Sequence, residues 1–362
     1  MQIDFHHAAT YVVSRLAGFA HSDALTIARS AQMVDESNTQ GTVNFSDGSS
    51  YQHIASAHTL YDLANNANSV TDYRVWLPFH FLPGNNGAAL GAVPAVPLVQ
   101  RLTCTEDSPL ANAMWQRTLS VKDSPTALYR LGITAHVYAD TFSHQGFAGF
   151  RHAANRASDI DHIDPNDSDF LDNLAAQAAD VLELGHGGVV TDPDLPFLTW
   201  SYRSNSGRVV ECNNPERFLR AVTRMQAQLA FYQGNSDRQT MLESDREAIA
   251  ALIHSQQNAD GDQRHVAWIE AIRQGNFTFG PLSDDESSDL QFDASAWEVA
   301  ALGQVRTPEN AADPLEIADD FASSPWKLFN DALKAHQQMV LTDLLPACQL
   351  PQDYPSALES GL

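Results

Sequence analysis

Cysteine is scarce in this sequence: Cys104, Cys212 and Cys348 lie far apart and form no C-x-x-C pair. That excludes a disulfide framework and a thiolate zinc knuckle, so any metal would be held by nitrogen and oxygen. Basic residues are also few, 21 Lys and Arg against 45 Asp and Glu, for a formal charge of -24. Such a chain repels phosphate backbones and anionic lipid surfaces as a whole, although a bound cation can make one pocket locally positive. Nothing approaches the ~18 uncharged apolar residues that a membrane-spanning helix needs. The opening, MQIDFHHAATYVVSRLAGF, has no basic leader and sets Asp4, His6 and His7 before the first apolar run. It does not read as a signal peptide, which leaves a cytoplasmic location or a non-classical export route. G-x-S-x-G, H-E-x-x-H, G-x-x-x-x-G-K-[ST] and G-x-G-x-x-G are all missing. Serine hydrolases, zincin proteases, phosphate-cradling loops and Rossmann oxidoreductases therefore lose their sequence support.

What is present is helical periodicity. Apolar residues recur at helix spacing over residues 7–20, 22–36, 50–65, 107–120, 125–146, 168–184, 215–233, 240–256, 263–273 and 322–343. Ser22-Asp23, Ser124-Pro125 and Asn214-Pro215-Glu216 supply start signals for three of them. Gly/Pro-rich loops fill 82–97 and 185–207, and an acidic stretch, with a solvated loop at Asp284 to Asp289, fills 275–315. The expectation is an all-α fold, a single multi-helix domain with long loops. Residues 1–274 form the helical metal-binding domain, and residues 275–362 form a C-terminal extension packing on it.

The fourteen histidines carry more information than the net charge. His136, Asp140 and His144 recur every fourth residue in YRLGITAHVYADTFSHQGF, so a helix places them in one stripe. Two imidazoles and a carboxylate converging in an apolar helix suit a divalent transition metal, zinc above all. Small neighbours, Gly132, Ala135 and Ala139, let a second helix approach closely. Asp35 closes the helix ALTIARSAQMVDES, where an acid opposes the helix dipole and needs a counter-charge such as a metal. Asp4, His6 and His7 open the first helix, with only one of the two His facing the site. His53 and His58, five apart, also share a face poorly, so one of them is the ligand. His186 precedes Asp192 and Asp194 in a turn-rich loop. His80, in WLPFHFLP, sits among aromatics and prolines that favour packing. His21, His152, His162, His254, His265 and His336 have ordinary surface, loop or core readings.

The order of these elements resembles the zinc-dependent phospholipase C / P1 nuclease superfamily over roughly residues 1–195. The chain is also similar to an uncharacterised bacterial family that opens on D-F-H and contains WxPFHFLP and HxYADTxSHQxFxG segments. The superfamily resemblance implies an all-α fold holding two or three zinc ions. Its ligands would be His6 or His7, Asp35, His58 (or His53), His136, Asp140, His144, and His186 with Asp192 or Asp194. In the secreted enzymes of that superfamily an N-terminal residue binds metal through its amine and carbonyl. This chain starts at Met1, and Asp4 is expected to take that role.

The implied activity is hydrolysis of a phosphate ester, a diester above all. Two zinc ions ~3.5–4 Å apart would activate water and polarise a phosphoryl oxygen. Asp140 would be the bridging carboxylate and Asp35 a ligand that also acts as general base. The partner is then a phosphoester, with a lipid head group among the candidates and nucleic acid disfavoured by the acidic surface. The alternatives are a P1-like nuclease stacking bases on aromatics, a non-catalytic protein whose helices the metal staples, and a delivered effector toxin.

Overall fold

The computed structural model describes residues 1–58, 69–162, 183–307, 310 and 313–355. The chain opens on a π-helical turn, Asp4–Ala9, which runs directly into α1 (Thr10–Ala17). Gly18 stops α1 in the left-handed region at φ 103°, which a residue with a Cβ adopts poorly. Next come α2 (His21–Glu36), the strands β1 (Gly41–Asn44) and β2 (Ser50–His53), and α3 (Ser69–Phe79). The short α4 (Leu98–Leu102), α5 (Pro109–Leu119) and α6 (Ala127–Ser143) follow. Strands β3 (Ala157–His162), β4 (Thr199–Ser204) and β5 (Val209–Asn213) precede α7 (Asn214–Gln233), α8 (Glu243–Ser255) and α9 (Gly261–Arg273). The described C-terminal part adds α10 (Asp284–Asp289), α11 (Ala296–Leu302) and α12 (Pro325–Met339), which a second π-helical turn, Val340–Leu344, continues.

The fold is mostly helical, and the all-α expectation is corrected by two small antiparallel sheets. One is the β1–β2 hairpin, paired from Gly41↔His53 to Asn44↔Ser50. The other has the order β3-β4-β5. The hairpin replaces the start of the helix expected over residues 50–65. The cause is the Asp47-Gly48 turn: Gly48 takes φ 87°, and Val43 and Phe45 bury against Phe321 and Trp326. Residues 59–65 of that expectation, and nearly all of the helix at 168–184, lie outside the described residues. In the second sheet the Gly207 turn (φ 81°) joins β4 to β5. Trp200, Tyr202 and Cys212 of these strands pack with Phe81, Phe147 and Val189, so the expected loop 185–207 ends in a strand. The acidic stretch is not all loop either, because Ser283 and Glu286 form a capping box that starts α10.

Helix α6 lies at the centre. Every residue from Leu131 to Ser143 is buried, and α2, α5, α7 and α12 pack around it. A helix apolar on all sides is stable only when covered on all sides. Its closest neighbour is α2. A Cβ on Gly132 would stand 2.3 Å from the Ile27 carbonyl oxygen and 2.5 Å from Ser30 Cβ. This contact brings the end of α2, and with it Asp35, alongside the His136 turn of α6.

Gly132→Ala should therefore push α2 from α6 and destabilise the protein by about 1–3 kcal/mol, the range for overpacking a tight contact. Calorimetry should show a melting temperature several degrees lower. An unchanged melting temperature would refute the close-approach role.

Candidate metal centre

Five parts of the chain deliver side chains to one buried point. The N-terminal π-helical turn brings His6, the last turn of α2 brings Asp35, and the residue just past α3 brings His80. Helix α6 contributes His136 and Asp140 and ends on His144. The loop before β4 brings His186 and Asp194. Three groups form whose ligating atoms lie within 4.8 Å of one another: His6, His136 and Asp140; Asp35, His80 and His136; His144, His186 and Asp194. Each could hold a metal ion.

Asp140 sits between them. Its Oδ1 lies 3.2 Å from His6 Nε2 and 2.7 Å from the Met1 amine. Its Oδ2 lies 3.3 Å from both His80 Nδ1 and His136 Nε2, and 3.7 Å from His144 Nδ1. Asp35 Oδ1 faces His80 Nδ1 at 3.7 Å and His136 Nε2 at 3.8 Å. Asp194 meets His144 Nε2 at 3.1 Å, His186 Nε2 at 3.4 Å and the Met1 amine at 3.0 Å. Exposure is graded across the centre. His6, His136 and Asp140 have no exposed side-chain surface, whereas Asp35 is 29%, His186 18% and Asp194 12% exposed.

The outer nitrogens of three imidazoles are anchored on backbone carbonyls. His80 Nε2 donates to Ser56 O at 2.9 Å, His144 Nδ1 to His80 O at 2.8 Å and His186 Nδ1 to Val190 O at 2.6 Å. A carbonyl only accepts, so each bond fixes the proton on the outer nitrogen. In the neutral ring the inner nitrogen then presents a lone pair toward carboxylate oxygens, a contact that a cation between the two would satisfy. Such orientation by carbonyls is the usual support of metal-ligating histidines. His6 approaches Asp140 without hydrogen-bond alignment, and His6 Nδ1 and His136 Nδ1 are buried with no hydrogen-bond partner. Val190 keeps its carbonyl on His186 at φ 48°, a strained value for a β-branched residue. Gly185, also at positive φ, leaves room for Phe81, which stacks on His144 at 4.6 Å.

Burial lowers three of the imidazoles, whereas Asp140 and Asp194 raise His144 against it. The three, His6, His136 and His186, are pushed down to about 4, so they are neutral and free to ligate at pH 7. Burial alone would raise Asp140, but the Met1 ammonium and then His144, His136 and His6 outweigh it and hold Asp140 well below the usual carboxylate range. Asp194 behaves likewise, the Met1 ammonium again leading, followed by His186 and His144. With these imidazoles neutral, three carboxylates face the single Met1 ammonium among the described residues. The excess negative charge and the aligned lone pairs fit a nitrogen- and oxygen-ligated divalent cation.

The structure brings together His6, Asp35, His136, Asp140, His144 and His186 of the residues expected from the sequence. Five others are placed elsewhere. Asp4 is held by Arg264, with oxygens 2.7 and 3.0 Å from its guanidinium, and the Met1 amine enters the centre instead. His7 points the other way and pairs with His265 Nε2 at 2.9 Å. His58 is buried beside Trp76 but belongs to none of the three groups, and His53 lies on β2 against Trp326. Asp192 is buried outside the groups, and Asp194 takes its place because the short 3-10 turn Asp192–Asp194 aims the second acid inward. His80 is the residue the sequence reading missed. Its aromatic neighbours do pack, Phe79 and Phe81 being buried, while α3 stops at Phe79 and the turn after it swings His80 inward.

The chain belongs to a family of unknown function, DUF6765, whose model matches residues 1–344. No curated protein and no solved structure matches it.

Metal content by mass spectrometry should fall sharply in both Asp140→Asn and His80→Ala relative to wild type. His53→Ala should leave it unchanged. Full metal content in His80→Ala would remove His80 from the centre.

Proposed function

We propose that the protein is a metal-dependent phosphoric ester hydrolase, a phospholipase C-like phosphodiesterase using two or three zinc ions. The observation that carries the reading is the sharing of one buried carboxylate, Asp140, by imidazoles from separate elements, with Asp35 and Asp194 closing a group on either side. Zinc at such a site would polarise a phosphoryl oxygen and supply an activated water.

The protein's own residues divide the remaining work. His6, His136 and Asp140, fully buried, form the floor and exclude water from behind. Asp35, the most exposed of the three carboxylates, stands at the open side, where it would take a proton from an incoming nucleophile. Backbone carbonyls hold His80, His144 and His186 in one tautomer, so the geometry is set before substrate arrives. The charge of -24 favours a zwitterionic or small soluble diester over a polyanionic strand.

Zinc-loaded protein should hydrolyse bis(p-nitrophenyl) phosphate and a phosphatidylcholine-type diester. Asp35→Asn should lower kcat by about 10²–10⁴-fold, the usual worth of a general base. Asp140→Asn should remove both activity and metal. Zinc-loaded wild type with no diesterase activity above buffer would sink the catalytic reading and favour a metal that only staples the helices.

A further inference from the structure

We propose that Arg264 is a positioning residue for the metal centre, acting through Asp4 and Gln2 to hold the first turn of the chain in place. The inference rests on the reading of the His/Asp cluster as a metal centre. It concerns a residue that touches none of the groups in it.

Arg264 lies on α9 and has no exposed surface. Its Nε donates to Asp4 Oδ2 at 2.7 Å, and its Nη2 donates to Asp4 Oδ1 at 3.0 Å and to Gln2 Oε1 at 2.7 Å. This is a two-pronged guanidinium–carboxylate pair, which fixes orientation as well as separation. The first residue of α9, Gly261, has no Cβ, and one would stand 2.6 Å from Gln2 Oε1, so the helix end admits the Gln2 side chain only because of the glycine.

Residues 4 to 7 are thereby tied down one by one. Asp4 is held by Arg264, Phe5 meets Phe218 edge-on at 5.0 Å, and His7 pairs with His265, the next residue of α9. His6, between them, turns to Asp140, Asp35 and His136. The Met1 amine, just ahead of that turn, reaches Asp140 and Asp194. The π-helical turn Asp4–Ala9 is wider than an α-helical one and needs outside contacts to persist. Arg264 supplies the strongest of them. Hence α9, from late in the chain, sets the placement of a ligand near its beginning.

The test separates positioning from plain stabilisation. Breaking one member strands a buried charge, so the pair is removed together as Asp4→Leu/Arg264→Met, which leaves no unpaired charge. Cobalt(II) binding is followed by visible absorption, and melting is measured without metal. The expected result is a folded double variant melting near wild type, binding cobalt(II) about 10–100-fold more weakly with a changed spectrum. Arg264→Lys keeps the counter-charge and loses the fork, and should weaken binding in the same direction. Wild-type affinity and spectrum in either folded variant would overturn the positioning role alone. No cobalt(II) binding by wild-type protein would overturn the metal-centre reading, and the proposal with it.

Discussion

The Asp140 carboxylate is the constraint on which the arrangement depends. It is a charge with no exposed surface, in the middle of a helix whose every side is covered. Isolated there, an ionised carboxylate would be too costly to bury and would take up a proton instead. It stays ionised chiefly because the Met1 ammonium lies 2.7 Å from Oδ1, while His6, His80, His136 and His144 surround the carboxylate where a bound cation would balance its charge. Those partners come from the chain terminus, from the end of α3 and from α6 itself. The fold must therefore converge at this point for the central helix to be stable.

Convergence of that kind depends on backbone approach rather than on side-chain reach. Asp35 has a short side chain, and it meets His80 and His136 because Gly132 lets α2 lie almost on α6. His186 is oriented by a carbonyl that Val190 presents at a positive φ. Strain of this kind persists only where surrounding contacts over-determine it, and here the Phe81–His144 stack and the apolar cluster beneath β4 do so. The second sheet, absent from an all-helical expectation, is thus the platform for one side of the centre.

The helical half of this arrangement was legible in the sequence, because a four-residue spacing of His, Asp and His converts directly into one face of a helix. Asp35 was legible for a different reason: an acid at the C-terminal end of a helix is electrostatically out of place. The choices between neighbours were not. Whether His6 or His7 turns inward depends on the π-helical turn and on His265, some 258 positions away along the chain. Whether Asp192 or Asp194 turns inward depends on a single 3-10 turn. Tertiary partners decide both, and no local pattern encodes them. The β1–β2 hairpin is a different kind of miss. Its Asp47-Gly48 turn was present in the sequence, but apolar residues at helical spacing over 50–65 gave the segment a helical reading.

The net charge of the chain and the charge of the centre act on different scales. At -24 the surface field extends only over a Debye length of ~8–10 Å in physiological salt, so it filters what approaches rather than what binds. It draws divalent cations toward the molecule and holds polyanions away. Inside, imidazoles and three carboxylates meet one ammonium in a medium that screens weakly. The two scales select in the same direction for a cation and in opposite directions for a phosphate ester, which the surface repels and a loaded centre attracts. A substrate carrying its own positive charge, or only one phosphate, escapes that conflict. A nucleic acid strand does not, which is the physical reason that the proposed function is a diesterase acting on small or zwitterionic substrates rather than a nuclease.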